Sequence, residues 1–260
     1  MPSNKSIRQR AADILKGILP QAFGITAIFF LAYFFVQLIN IIALPTALKL
    51  LIPPAQVAVQ SGVSLLFSFF FLTPLTLGIM RFFWRRNLEA DDSVGVIFYY
   101  FSGGNYKKAL KYSLSLFLRA QIFATIATVL AQQMLPRGGL LHEFVMKQNL
   151  TSNSKVGIIF GFTMLALALS IFAIFRVFKY FLAPYLMIND EDLSVKKAFN
   201  HSAQMMRGGR LQLFGFYFSF LPWLLLCLTI LPIIYVYPLV MMSGAVYAKY
   251  QIQACNQTAS

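Results

Sequence analysis

Apolar residues run through this chain in long tracts, and short polar stretches between them carry almost all of the charge. Three tracts, Ile18–Leu44, Val57–Met80 and Ala109–Leu135, reach the ~20 residues needed to cross a ~30 Å hydrocarbon core. A fourth begins at Val156 and fades after Arg176. The tract from Leu211 to Tyr250 is 40 residues long, too long for one crossing, and Pro222, Pro232 and Pro238 interrupt it. Its segment "TILPIIY" supplies a reversal, dividing it into Leu211–Ile230 and Ile233–Lys249. No tract alternates with period two as barrel strands do, and a bilayer requires each helix to satisfy its own backbone. The pattern predicts an all-α membrane protein, a single transmembrane domain over 1–260 with six transmembrane helices as three hairpins.

The polar stretches resemble one another. "EADDSV" (89–94) and "DEDLSV" (190–195) each set an acidic cluster before Ser-Val, and together they hold six of the eight acids. A short amphipathic segment follows each, then Gly-Gly, then an apolar tract. Val94, Ile97, Phe98 and Phe101 recur at helical spacing in the first; Val195, Ala198, Phe199 and Met206 share a face in the second. "SIRQRAADILKG" (6–17) reads as a third copy, with Ile7, Ala11, Ile14, Leu15 and Ile18 on one side and Gly17 at its end. Each hairpin is therefore preceded by an amphipathic interfacial helix, in repeats 1–80, 89–188 and 190–260.

Composition agrees with this reading. Hydrophobic residues make up 58% of the chain and charged ones 12%, with a mean hydropathy of +0.69. A soluble domain carries about 25% charged residues, so too few polar side chains exist here to cover a globule, and the bilayer is the expected solvent. Of 22 Lys and Arg, four (Lys49, Arg137, Lys147, Lys155) lie on one predicted side and Arg119 lies within the third span. The other seventeen share the opposite side, which the positive-inside rule makes cytoplasmic, with both termini there. The first span exceeds the ~7–15 apolar residues of a signal peptide and is expected to be retained as an anchor.

Candidate chemistry is sparse. No GxSxG, Walker A, HExxH or CxxC motif occurs, no acid lies within a span, and Cys227 and Cys255 cannot form a disulfide framework. His142 lies beside Glu143 on an outer loop without a second histidine one turn away. The acidic clusters sit before helix starts, where the helix dipole favours negative charge and Ser194 can cap. The alternative is that Asp91, Asp92, Asp190 and Asp192 converge on a hard divalent cation. Bases supply the remaining candidates. Arg85, Arg86, Lys107, Lys108, Lys196, Lys197, Arg207 and Arg210 form a surface for anionic head groups, each worth ~1 kcal/mol near such a membrane. Arg119, Arg176, Lys179 and His201 are the candidate ligand contacts, Arg119 either snorkelling to the interface or lining a polar cavity.

The tract from Tyr180 to Tyr250 also resembles a large family of uncharacterised bacterial integral membrane proteins, common in Gram-positive bacteria. The matching features are Tyr180, Pro184 and Tyr185, then Ser202, Met205 or Met206 and Gly208. Ser219, Phe220 and Trp223 follow, and finally Tyr237-Pro238. Pro222 stands where that family often has Gly. A more distant likeness exists to the membrane portion of some glycerophosphodiester phosphodiesterases, without their hydrolase domain. The resemblance implies a multi-pass protein of the bacterial cytoplasmic membrane and supplies no catalytic residues. The resulting expectation is a non-enzymatic protein, with no cofactor and no nucleic-acid partner, that binds or translocates an anionic lipid or amphiphile. The alternative is a structural or accessory subunit that organises or protects a partner complex.

Overall fold

The computed structural model describes residues 2–43, 53–133, 140–148, 151–227 and 232–259. The ends of the first, third and fifth predicted spans, and with the last of these residues 228–231 of the predicted reversal, lie outside these. Every regular element among the described residues is helical.

Helix α1 (Asn4–Lys16) begins at Ser3, whose hydroxyl accepts from the Ser6 amide at 3.2 Å. Its buried face is Ile7, Ala11 and Leu15, and it packs against the last helix, α13 (Ile233–Ala259). The spacing of the apolar positions specified this face.

Among the described residues four helices are long and apolar enough to cross a membrane: Leu19–Leu38, Val59–Asn87, Gly103–Gln132 and Ser152–Asn189. The first is α2 (Leu19–Leu38). The second comprises α3 (Pro53–Phe67), a π-helical turn at Ser68–Leu72 and α4 (Thr73–Asn87). Pro74 causes this turn, because it has no N–H and its ring crowds the carbonyl four residues back. That carbonyl, on Phe70, accepts from the Tyr106 hydroxyl at 3.1 Å, and Thr73 Oγ1 donates to Ser68 O at 3.0 Å. The third consists of α5 (Gly103–Leu116), a π turn at Phe117–Gln121 and α6 (Ile122–Gln133). A short α7 (Leu140–Lys147) follows, then α8 (Ser152–Lys179) and α9 (Ala183–Asn189).

The fourth tract therefore does not fade after Arg176; it breaks at Tyr180–Leu182 and resumes. Pro184 opens α9 and cannot donate to Tyr180. Ser202 fills the gap from α10 (Val195–Met205): its Oγ accepts from the Leu182 amide at 3.1 Å and donates to Lys179 O at 3.2 Å. Ser202 and Pro184 belong to the residues that carried the family resemblance, and here they form one joint.

The predicted fifth span is not one helix. α11 (Arg210–Phe218) and α12 (Leu221–Leu226) divide it at Ser219–Phe220. Pro222 removes a donor there, and Ser219 Oγ turns back to Phe216 O at 2.6 Å.

Between α4 and α5 the chain winds as a 3-10 helix, Val94–Phe101. The face predicted from α-helical spacing is only partly the buried one. Ile97 and Tyr100 are buried, while Phe98 is 48% exposed, because three residues per turn align i with i+3. The tighter coil lets its backbone touch α4 directly: a Cβ on Gly78 would stand 1.8 Å from the Ile97 carbonyl oxygen. α10 follows expectation, with Val195, Ala198 and Phe199 buried and Ser194 capping its start. Gly103 and Gly208, which reverse the chain after these two segments, both have positive φ, +52° and +81°.

The chain divides into two compact units. One comprises Met1–Phe35, Ser68–Ser113 and Phe178–Ser260; the other comprises Val36–Phe67 and Leu114–Val177. The first holds the main core, in which Ile7, Leu15, Phe82, Phe83, Phe216 and Tyr247 are buried.

Candidate functional site

In the second unit the π turn of the third long helix carries Arg119. A π turn widens the helix, and such turns frequently mark functional positions. The carbonyl of Arg119 accepts a hydrogen bond from Arg176 Nε on α8 at 2.9 Å. The Arg176 guanidinium lies 5.7 Å from the Phe123 ring and 5.8 Å from the Phe172 ring. Those two rings meet edge to face at 5.0 Å, and the guanidinium lies over both, so the ring faces guide the arginine's approach to the third helix. Neither long helix carries an Asp or Glu.

The other two predicted ligand contacts belong to the first unit. Lys179 holds its ammonium 5.4 Å from the Tyr180 ring, and its carbonyl is engaged by Ser202. His201 is exposed on α10. The structure thus brings the Arg176 side chain to the Arg119 backbone; among the described residues it shows no contact of Lys179 or His201 with either arginine.

The bases predicted to face head groups divide into two sets. Lys107, Lys196, Lys197 and Arg207 are exposed. Arg85 and Arg86 are committed internally. Arg85 pairs with Asp92 and Arg86 with Asp91. Arg86 also donates to Gln21 Oε1 and to Asp92 O, each at 2.8 Å. Arg210 is half-buried. Lys108 donates to the Glu191 carbonyl at 2.6 Å.

The acidic clusters take different partners. The first closes on Arg85 and Arg86 at the end of α4. In the second, Asp190 Oδ1 accepts from the Asp192 amide at 3.0 Å, while Glu191 reaches across to α4 instead of serving its own helix. Among the described residues no group of three or more His, Cys, Asp or Glu side chains is placed to hold a metal, so the alternative through Asp91, Asp92, Asp190 and Asp192 has no geometric support.

Sequence reasoning missed the partner of Glu191. Arg81 is 5% exposed, and its Nη2 donates to Glu191 Oε1 at 2.6 Å. The guanidinium carbon stands 3.7 Å from the centre of the Tyr99 ring, and the Tyr99 hydroxyl donates to Glu191 Oε2 at 3.0 Å. These two donors, Arg81 first, hold the Glu191 carboxyl below its ordinary value. Burial pushes the neighbouring Tyr100 hydroxyl up to about 12, against the opposing charge and hydrogen bonding of Arg81. The available signal was "RFFWRR" (81–86), in which Arg81 lies on the face of α4 that also buries Leu77 and Trp84.

The N-terminal bases also cross the fold. Arg8 Nη1 donates to Ser219 O at 2.7 Å and to Ser219 Oγ at 3.3 Å, over the Phe220 ring. Arg10 donates to the Tyr250 hydroxyl at 3.1 Å. Arg8 thereby satisfies a carbonyl released at the α11–α12 break, a second place where residues of the resemblance mark a joint.

The sequence matches the family described as Protein of unknown function (DUF975) over residues 1–253. The match extends well beyond the C-terminal tract that carried the resemblance. No curated protein and no solved structure matches the chain.

Proposed function

We propose that this chain, which belongs to the DUF975 family of proteins of unknown function, is a non-enzymatic multi-pass membrane protein that binds an anionic lipid or amphiphile at Arg119 and Arg176. The hydrogen bond from Arg176 to the Arg119 carbonyl is the observation that carries this reading. It sets the Arg176 guanidinium against the backbone of Arg119, on two apolar helices that carry no Asp or Glu. A cation at mid-bilayer costs ~2.5–3.5 kcal/mol even on the lenient insertion scale, and an anionic head group between the two arginines offsets that cost. Exposed apolar side chains such as Leu31, Ile41, Phe160 and Leu211 support a lipid-facing exterior.

In this reading the chain makes six crossings as three hairpins in a bacterial cytoplasmic membrane, with both termini inside. The exposed Lys107, Lys196, Lys197 and Arg207 draw anionic head groups to that face. Native mass spectrometry from nanodiscs containing phosphatidylglycerol and phosphatidylcholine tests the proposal. Wild type retains phosphatidylglycerol selectively, and Arg119→Gln/Arg176→Gln loses that selectivity. Equal retention by both proteins overturns the reading.

A further inference from the structure

We propose that Arg81 is the centre of a second anion site, which Glu191 occupies as an internal stand-in and from which a phosphate-bearing ligand displaces it. An arginine has five N–H donors in a planar fork suited to two oxygens at once. Arg81 uses Nη2 for Glu191, while its buried Nε and Nη1 meet no acceptor at full hydrogen-bond geometry, the Tyr100 hydroxyl interacting with the guanidinium only more loosely. Leaving such donors dry is unfavourable, and a single carboxylate contact is a poor match for this guanidinium.

The surrounding charges point the same way. Lys108 turns its ammonium to the Glu191 carbonyl rather than to a carboxylate. Asp91 and Asp92 are taken by Arg86 and Arg85. The carboxylates of Asp190, Glu191 and Asp192 all act on Lys108, and Glu191 is the one it has in common with Arg81. The partners also differ in their freedom to move. Arg81 is packed under Tyr99 on a buried helix face, whereas the Glu191 side chain is 56% exposed on the turn between α9 and α10. Rotation of Glu191 outward opens the arginine without moving a helix. A phosphate then supplies the oxygens that Nε and Nη2 can grip side by side, with Lys108 and the Tyr99 hydroxyl beside it. The ligand chemistry is a phosphate group, carried by a phospholipid or free in solution. The proposal borrows only its ligand class from the Arg119–Arg176 reading.

The test uses the full chain in detergent micelles with Trp223→Phe, so that Trp84, one helical turn from Arg81 and 4% exposed, is the sole tryptophan reporter. Short-chain phosphatidic acid, inorganic phosphate and short-chain phosphatidylcholine are titrated separately. Glu191→Gln is expected to bind a phosphate ligand about tenfold more tightly than the parent, equivalent to about 1.4 kcal/mol. Adding Lys108→Gln returns the affinity to near the parental value. Enhancement with phosphatidic acid alone identifies a lipid, and enhancement with inorganic phosphate as well identifies a soluble ligand. If Glu191→Gln binds neither ligand more tightly than the parent, the proposal is overturned. Should that variant not fold, Lys108→Gln alone decides the matter: several-fold weaker binding supports the site and unchanged binding overturns it. Repeating the titrations with Arg119→Gln separates the two sites, because the Glu191 effect persists there even where retention at Arg119 fails.

Discussion

Replacing Gly78 with alanine adds one methyl group at the closest backbone contact between α4 and the 3-10 helix. That carbon would lie 1.8 Å from the Ile97 carbonyl oxygen, 2.5 Å from its carbon and 2.9 Å from its Cα. All three are backbone atoms, so no side-chain rotation relieves the clash, and the 3-10 helix must lift away. Lifting it loosens Ile97 and Tyr100, which are 0% and 2% exposed. Overpacking costs ~1–3 kcal/mol where a core can adjust, and uncovering a large apolar side chain adds ~1.5–3 kcal/mol. The expected loss is therefore about 3–5 kcal/mol, or ~10 °C in Tm at roughly 2–4 °C per kcal/mol. Thermal unfolding in detergent measures it, with Gly62→Ala and Gly161→Ala as controls. A Cβ at either of those positions meets nothing within 4 Å, and each should gain up to ~1 kcal/mol from helix propensity. A Gly78→Ala protein that melts with the controls would refute the close approach.

Other perturbations test the joints and the ion pairs. α4 ends in a six-residue cap in which the Ala90 amide bonds Arg85 O at 3.0 Å and the Glu89 amide bonds Arg86 O at 3.1 Å. Glu89 stands there at φ +65°, a place glycine prefers. Glu89→Gly should raise stability by ~0.5–1 kcal/mol in a chemical melt, and a loss would contradict the cap. Ser202→Ala leaves the Leu182 amide unpaired and should cost ~1–3 kcal/mol, with faster hydrogen exchange at Leu182; unchanged exchange would rule out the joint. Glu191 has a lowered folded pKa, so its contribution is present above the unfolded value and is lost as pH falls through the folded one. The Tm difference between wild type and Glu191→Gln should be present at pH 7, begin to shrink as pH falls past the ordinary glutamate value of about 4.3, and vanish only below the lowered folded value; a difference that grows on acidification would reverse the assignment.

Local chemistry made part of this protein legible from its sequence. Hydrophobic periodicity alone identified the buried faces of α1 and α10, because each face is a property of one helix and its spacing. Ser194 was readable as a cap for the same reason, since it serves residues three positions away. The long apolar tracts were readable because length and apolarity are summed along one segment. Their breaks were less so. Pro74, Pro184 and Pro222 announced that donors would be missing, but not that Tyr106, Ser202 and Arg8 would answer the carbonyls and amides left over. Those partners lie 36, 20 and 211 residues away along the chain. The 3-10 winding of Val94–Phe101 depends on Gly78 lying beneath it, a contact that no periodicity within the segment records. Glu191 read as one of three acids at a helix start, and only the packing of α4 against the turn before α10 turned it toward Arg81. The pairing of Arg119 with Arg176 has the same origin. A hydrogen bond between two helices requires a relative position that side-chain order along either helix leaves undefined, and tertiary packing supplies it.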